Sequence, residues 1–371
     1  MTLPKIARRD TLTVEQFAEE FLAPNVPVIL GSGFTEHWAA RRDWVTNGRP
    51  NFAKLRELYG ECQVPVAESD TAYFSDQKRA TMQFSEFLDA WQTEPERKLY
   101  CKDWHFVQAN PQYRAYDVLP HLSDDWINLF YDDHPEFSDD YRFSYMGGEG
   151  SWTPFHEDVY RSYSWSANIC GEKHWLFVPP GQTHLFTDAC GNWIYNLLDY
   201  DTKQFPHAHK LQIIEAVQRP GETVFVPSGW WHQVRNVGDT ISINHNWANE
   251  FNILHMYQRL RSDLDNVLHA LRDVADMDGF DEHAQVVLRA DSGTDYSRFF
   301  RFVEHIANAY LEHRVVSGFD GYFTSTAGVV RALERIAAVL GLLSDDRATV
   351  GIQGLRDEVA RLEESVRERL R

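Results

Sequence analysis

The chain has 371 residues, 43% of them apolar and 14% aromatic, enough to bury a sizeable core and to rule out an intrinsically disordered protein. Its formal net charge of -19 at pH 7 repels phosphate backbones and argues against direct nucleic-acid binding, so basic polypeptides are the better-matched partners. No apolar run reaches the roughly 18 residues of a membrane helix, and no membrane partner is expected.

The amino terminus, with Lys5, Arg8, Arg9 and Asp10, lacks the apolar core of a signal peptide, and Cys62, Cys101, Cys170 and Cys190 show no close pairing. Both features point to a reducing setting, cytoplasmic or nuclear. Residues 1–128 mix helical and extended patterns and read as an α/β covering region. Within it, Thr13-Val14-Glu15-Gln16 has the form of a capping box at a helix start. Next comes an acidic run, Asp124, Asp125, Asp132, Asp133, Asp139 and Asp140. It reads either as a solvated loop or as a rim that holds a cationic substrate segment.

From Tyr141 to Trp247, short aromatic and β-branched runs are broken by Gly and Pro, as in a small antiparallel sandwich or barrel. The core is assigned to residues 129–250. Two His-x-acid pairs occur in the chain, about the number that chance supplies. His134-Pro135-Glu136 sits among proline and crowded charge, which favours a loop. His156 and Asp158 share one face if the run is extended, with Glu157 pointing away. Together with His232 they have the composition of a two-histidine, one-carboxylate face for Fe(II) that leaves positions open for dioxygen.

Continuing that parity along one strand brings Ser162, Ser164, Ser166 and Asn168 to the ligand face. Ser242, Asn244 and Asn246 alternate in the same way with Ile241, Ile243, His245 and Trp247. A buried polar group without a partner costs about 1–3 kcal/mol, so this line needs water, a ligand or a hydrogen-bond network. The alternative is that it faces solvent while Trp165 and Ile243 form the core. From Gly171 to Val178 the alternation puts Lys173, Trp175 and Phe177 on one side. Lys173 is then either a snorkelling surface residue or an inward ammonium that requires an anion. The distal carboxylate of 2-oxoglutarate would be such an anion, with the Thr153 hydroxyl nearby. His232 follows the turn Pro227-Ser228-Gly229-Trp230-Trp231 and a β-prone run from Glu222 to Val226, a position at the mouth of a hairpin.

Residues 251–371 change to a helical period. Leu260, Leu264, Val267, Leu271 and Val274 recur on one face, as do Ile352, Leu355, Val359, Leu362, Val366 and Leu370. The last pattern fits intramolecular packing or, alternatively, the seam of a homodimer through the C-terminal helices.

Four runs now stand in order: Ser151-Trp152-Thr153-Pro154-Phe155-His156, Ser162-Tyr163-Ser164-Trp165-Ser166, Val226-Pro227-Ser228-Gly229-Trp230 and Asp239 to Trp247. Together they resemble the JmjC domain of Fe(II)- and 2-oxoglutarate-dependent oxygenases and, within it, the branch of JmjC domain-containing protein 4. The likeness extends upstream through Tyr100 to His105 and Arg42 to Thr46, and downstream to about His313. The resemblance implies a mainly β core with α additions: a double-stranded β-helix of the jelly-roll, cupin-like kind flanked by an N-terminal α/β region and C-terminal helices. It implies His156, Asp158 and His232 as iron ligands and Lys173 as the partner of the cosubstrate's distal carboxylate. Thr153, Asn244 and Tyr100 become further 2-oxoglutarate contacts, and Ser166 is counted with them. It also implies hydroxylation at C4 of a lysine in the eukaryotic translation release factor. One departure is Trp231, where that branch carries histidine. The rival readings are a histone N-methyl-lysine demethylase and a non-catalytic cupin-like scaffold. Against the first, the scattered cysteines and His207-Ala208-His209 lack the spacing of a structural zinc site.

Overall fold

The computed structural model describes residues 5–73, 76–137, 139–312 and 321–371; His313, the expected limit of the likeness, lies outside the described residues. The strands are β1 (Ala7–Arg9), β2 (Val28–Leu30), β3 (Val45–Thr46), β4 (Arg49–Pro50), β5 (Gln63–Tyr73), β6 (Asp76–Gln83), β7 (Leu99–Trp104), β8 (Arg142–Gly147), β9 (Trp152–His156), β10 (Tyr163–Val178), β11 (Ile214–Gln218), β12 (Thr223–Val226) and β13 (Trp231–Trp247). All but β3 and β4 join one ladder system, with the main path β1-β2-β12-β10-β13-β8-β7-β5-β6.

Two long antiparallel strands, β10 and β13, carry this system from one side of a cavity to the other. Through Ser164–Ala167 the first half of β10 pairs with β12, and its second half, Lys173–Phe177, pairs with β11. In β13 the opposite order holds: His232, Val234 and Arg235 pair with β9, and Thr240–His245 pair with β8. The main sheet and a smaller β11-β10-β13-β9 sheet therefore share two strands, which is the jelly-roll arrangement the resemblance implied. One expectation fails here. β12 and β13 do not form a hairpin, because both pair with β10, which lies between them.

The crossing between sheets is made at a bulge. The register of β10 against β13 shifts between Asn168 and Cys170 and again between Cys170 and Glu172, where Gly171 has φ +72°. An added Cβ at Gly171 would lie 2.2 Å from the Asp239 carbonyl oxygen, whereas one at Gly238 would meet open space. Gly171→Ala should therefore cost about 3 kcal/mol, against about 1 kcal/mol for Gly238→Ala, in chemical denaturation. Equal costs would show that the Asp239 backbone gives way freely.

Outside the main sheet, Tyr163, Trp165, Ile169, Ile241, Ile243 and Trp247 pack with Phe17, Phe21, Trp38, Phe84 and Phe87 of the N-terminal helices. The apolar half of each alternating strand thus faces the covering region, and the polar half is left for the interior. Thr13 forms the expected capping box with Gln16, accepting its backbone N–H at 3.1 Å. Strands from residues 7–30 and 63–104 extend the main sheet, so the N-terminal region is part of the wall as well as a cover.

The C-terminal helices Ile253–Ala270, Tyr296–Leu311, Thr326–Asp345 and Leu355–Leu370 share a separate apolar core with Trp126 and Phe130. Val359 and Val366 are fully buried within the chain, so the last apolar stripe is used intramolecularly. Two details differ from the periodic reading. The first helix ends before Leu271, which leaves Val274 38% exposed, and Ile352 caps a short helix ahead of the last one. Among the described residues no helix is long and apolar enough to cross a membrane, and all four cysteines are free.

Candidate metal centre and cosubstrate cavity

His156 ends β9 and His232 is the second residue of β13, and the ladder pairs them directly. Their ring centroids are 4.3 Å apart, and with Asp158 their ligand atoms all lie within 4.8 Å of one another. Each histidine places Nδ1 on the carbonyl two residues upstream: Pro154 at 2.7 Å for His156 and Trp230 at 3.1 Å for His232. If those contacts are donated N–H bonds, Nε2 of both rings is the free lone pair, the tautomer a metal ligand needs. Burial first, and the neighbouring His232 second, hold the His156 imidazole below its ordinary pKa, so it is neutral at pH 7.

Asp158 reaches the same point by another route than the sequence suggested. β9 stops at His156, and the chain turns through Val159–Arg161, where Tyr160 (φ +58°) and Arg161 (φ +52°) are left-handed, before β10 begins. The pair is therefore not part of one extended strand running on to Ser164. Asp158 is aimed instead by hydrogen bonds: Ser164 Oγ donates to Oδ2 at 2.7 Å and Asn246 Nδ2 to Oδ1 at 3.1 Å. Glu157 points away as expected, held by Arg161 at 2.8 Å and Arg259 at 2.5 Å. Ser164→Ala should lower Fe(II) affinity about 10–100-fold, measured by titration of the metal-free protein. An unchanged affinity would mean that Asn246 alone orients the carboxylate.

Behind the triad lies a cavity of about 460 Å³ lined by Tyr100, Tyr145, Thr153, Ser164, Lys173, Trp175, Val234, Asn244 and Asn246 as well as the triad itself. Lys173 is 2% exposed. Its Nζ donates to Ser242 at 2.6 Å and to the Tyr100 hydroxyl at 3.4 Å, and lies 5.7 Å from the centre of the Tyr145 ring. Among the described residues no carboxylate pairs with it, and burial alone pushes its pKa down to about 7. A buried ammonium with only neutral partners fits an anionic ligand. The donor set thus matches Fe(II) with 2-oxoglutarate: two imidazoles and a carboxylate at one end, and an uncompensated cation at the other.

The polar line seen in the sequence forms the network expected of it. Ser166 and Ser242 donate to Asn244 Oδ1 at 3.2 and 3.0 Å, and Asn246 also donates to Ser162. Ser166 stands behind Asn244 and does not line the cavity. Asn168 turns to the bulge, donating to the Gly171 carbonyl at 2.6 Å. Tyr145 and Val234 were not singled out from the sequence; the alternation of β8, opposite Ser242, was the signal that could have found Tyr145.

A wider cleft of about 1020 Å³ opens onto the triad and shares Tyr145, Thr153, His156, Asp158 and Asn246 with the inner cavity. None of the six residues of the acidic run lines it. Asp124 and Asp140 are buried, Asp125 caps the helix Trp126–Asp133, and Asp132 takes Arg142 at 2.5 Å. The rim role considered for them is not what the fold provides. His134 and Glu136 pair at 2.9 Å, the His134 ring packs on Phe130 and His305, and neither residue lines the triad's cavity.

Comparison with known proteins agrees with this geometry. A family model described as a cupin-like domain matches residues 14–253. The chain is 44% identical over 316 residues to the arginine-specific demethylase JMJ20 of Arabidopsis thaliana, covering 80% of this chain and 68% of that one. It is 42% identical over 308 residues to the 2-oxoglutarate and iron-dependent oxygenase JMJD4 of Danio rerio, with 79% and 72% covered. Its identity to the Homo sapiens protein of the same name is 40% over 308 residues, with 80% and 73% covered. The convergent triad, the buried lysine and these relatives lead to one statement: the chain belongs to the cupin-like JmjC family of 2-oxoglutarate- and iron-dependent oxygenases.

Proposed function

We propose that this oxygenase hydroxylates C4 of a lysine side chain in the eukaryotic translation release factor, in a cytoplasmic setting. The observation that carries a polypeptide substrate is the open cleft of about 1020 Å³, which leads directly to the triad. The choice of lysine and release factor rests on the resemblance of the four sequence runs, while the relatives about 40% identical support the oxygenase class alone. His156, Asp158 and His232 hold the metal in this reading. Lys173 anchors the distal carboxylate of 2-oxoglutarate, assisted by Tyr100, while Thr153 and Asn244 lie along the cosubstrate and Ser166 steadies Asn244.

When bound, Fe(II) and 2-oxoglutarate supply dioxygen activation, with succinate and carbon dioxide as coproducts. The chain's own contribution is orientation. Nδ1 contacts on two carbonyls fix both imidazoles, Ser164 and Asn246 fix the carboxylate, and Trp175, Val234 and Tyr145 add apolar and aromatic surface to the lining of the inner cavity. Removal of hydrogen from carbon needs no acid or base from the protein.

Arginine demethylation is a second reading, favoured by the Arabidopsis relative. Succinate release should be measured with Fe(II), 2-oxoglutarate and, separately, the release factor, a methyl-arginine histone peptide, a methyl-lysine histone peptide or no polypeptide. Stimulation by the release factor alone, with a gain of one oxygen on lysine by mass spectrometry, is expected. Stimulation by a methylated peptide with formaldehyde release would replace that reading.

A further inference from the structure

Two of the exposed large apolar side chains of this protein, Val159 (52% exposed) and Trp193 (44%), line the same outer cleft. Scattered singly over a surface, such residues need no explanation; two lips on one cleft above a metal triad do. We propose that Val159 and Trp193 clasp an apolar residue of the polypeptide substrate next to the side chain that is oxidised. This rests on the polypeptide reading above and adds its recognition element.

Both lips are held in place. Val159 follows Asp158 directly and opens the tight turn in which Arg161 N–H donates to the Asp158 carbonyl at 3.1 Å and Ser162 N–H to the Val159 carbonyl at 3.0 Å. Trp193 stands on a turn closed by Asp188, whose carboxylate accepts the backbone N–H groups of Cys190 and Asn192 at 2.9 and 2.8 Å and the Gln204 amide at 2.7 Å. Its indole meets Trp231 edge-on at 5.5 Å, and Trp231 in turn packs on Phe186 at 4.8 Å and Phe155 at 5.1 Å. Trp231 is the neighbour of His232, so the platform under this lip is tied directly to the triad. A rigid aromatic surface presented to water loses little entropy on binding and gains from desolvation.

The charged lining of the cleft does not compete for this role. Arg79 pairs with Asp76 at 2.9 Å and with Asp103 at 2.6 Å, and Lys102 lies 3.5 Å from Asp76, so two acids and two bases satisfy one another. A neutralised wall gives little preference for a charged residue. The apolar lips remain as the selective feature, and because the cleft shares His156 and Asp158 with the inner cavity, a chain seated between them presents its next side chain to the metal.

The test is steady-state kinetics with the polypeptide that the wild-type enzyme converts, either the release factor or the methyl-arginine peptide. Trp193→Ala should raise KM for that polypeptide about tenfold with KM for 2-oxoglutarate unmoved; Val159→Ser should act in the same direction, and Trp193→Phe should recover most of the loss. Val237→Ser, at a 48% exposed apolar position outside the cleft, is the control and should change nothing. Replacing the substrate's flanking apolar residues by serine should cost the wild type about tenfold but Trp193→Ala little, the non-additivity of a direct contact. Conversion with KM unchanged in Trp193→Ala, or a fall in kcat alone, overturns this proposal while leaving the enzyme's reading intact. Conversion of neither polypeptide overturns that reading and this proposal with it.

Discussion

Replacing Lys173 by methionine should abolish use of 2-oxoglutarate while making the ligand-free protein more stable. The ammonium is buried against Ser242 and Tyr100 with no carboxylate beside it, so it is a cost to the empty fold that only a bound anion offsets. Removing one partner of a buried ion pair costs about 3–5 kcal/mol, so KM for 2-oxoglutarate should rise about a hundredfold or more. Thermal unfolding of the ligand-free variant should show a gain of about 1–3 kcal/mol. A variant with normal KM would mean that the distal carboxylate is held elsewhere.

The same residue gives the protein a pH signature. Burial lowers Lys173 to about 7, while an unfolded lysine titrates near 10.4. Between those values the unfolded chain holds a proton that the native one has released, so stability rises with pH across this window and is flat in this respect outside it. Lys173→Met should lose that slope. An anion at Lys173 restores the ammonium, so 2-oxoglutarate binding at pH 8 should take up a proton, seen by calorimetry in buffers of different ionisation enthalpy.

Asp158→Asn should leave the fold intact and remove iron. Ser164 can still donate to the amide oxygen, but the amide nitrogen then faces the Asn246 donor, and the charge that balances a divalent ion is gone. Fe(II) affinity should fall about a hundredfold or more and succinate formation should reach background, as for His232→Ala, with thermal stability of the metal-free protein shifted by no more than about 1 kcal/mol. Retention of stoichiometric iron in the Asn variant would remove Asp158 from the ligand set.

Much of this site was legible from alternation. Tyr163, Trp165, Ile169, Ile241, Ile243 and Trp247 face the covering helices, and Ser164, Asn244 and Asn246 face the cavity, as period-two patterning requires. The inward Lys173 also followed from pattern once an anion was invoked. Other inferences reached a residue of the triad by a route the fold does not take. Asp158 joins the triad from a left-handed turn, not along a strand, and β13 begins beside β10 and not beside β12. The acidic run looked like a rim because charge clusters usually lie in solvent, yet Asp124 and Asp140 are buried, Asp125 caps a helix, and Asp132 and Asp133 pair with Arg142 and His305.

By itself the sequence determined which side chains each strand can offer to one face, where helices start, and which residue types are available for a ferrous centre and an anion. These depend on neighbours along the chain, whose spacing sets direction. Only the tertiary structure decided that even-numbered Ser164 and odd-numbered Lys173 share one cavity, because the bulge at Gly171 reverses the alternation of β10. It also decided that Tyr100 and Tyr145 line that cavity and that Val159 and Trp193 line one outer cleft. Such pairings depend on ladder register between distant strands, and one extra residue in a bulge reverses every side chain beyond it.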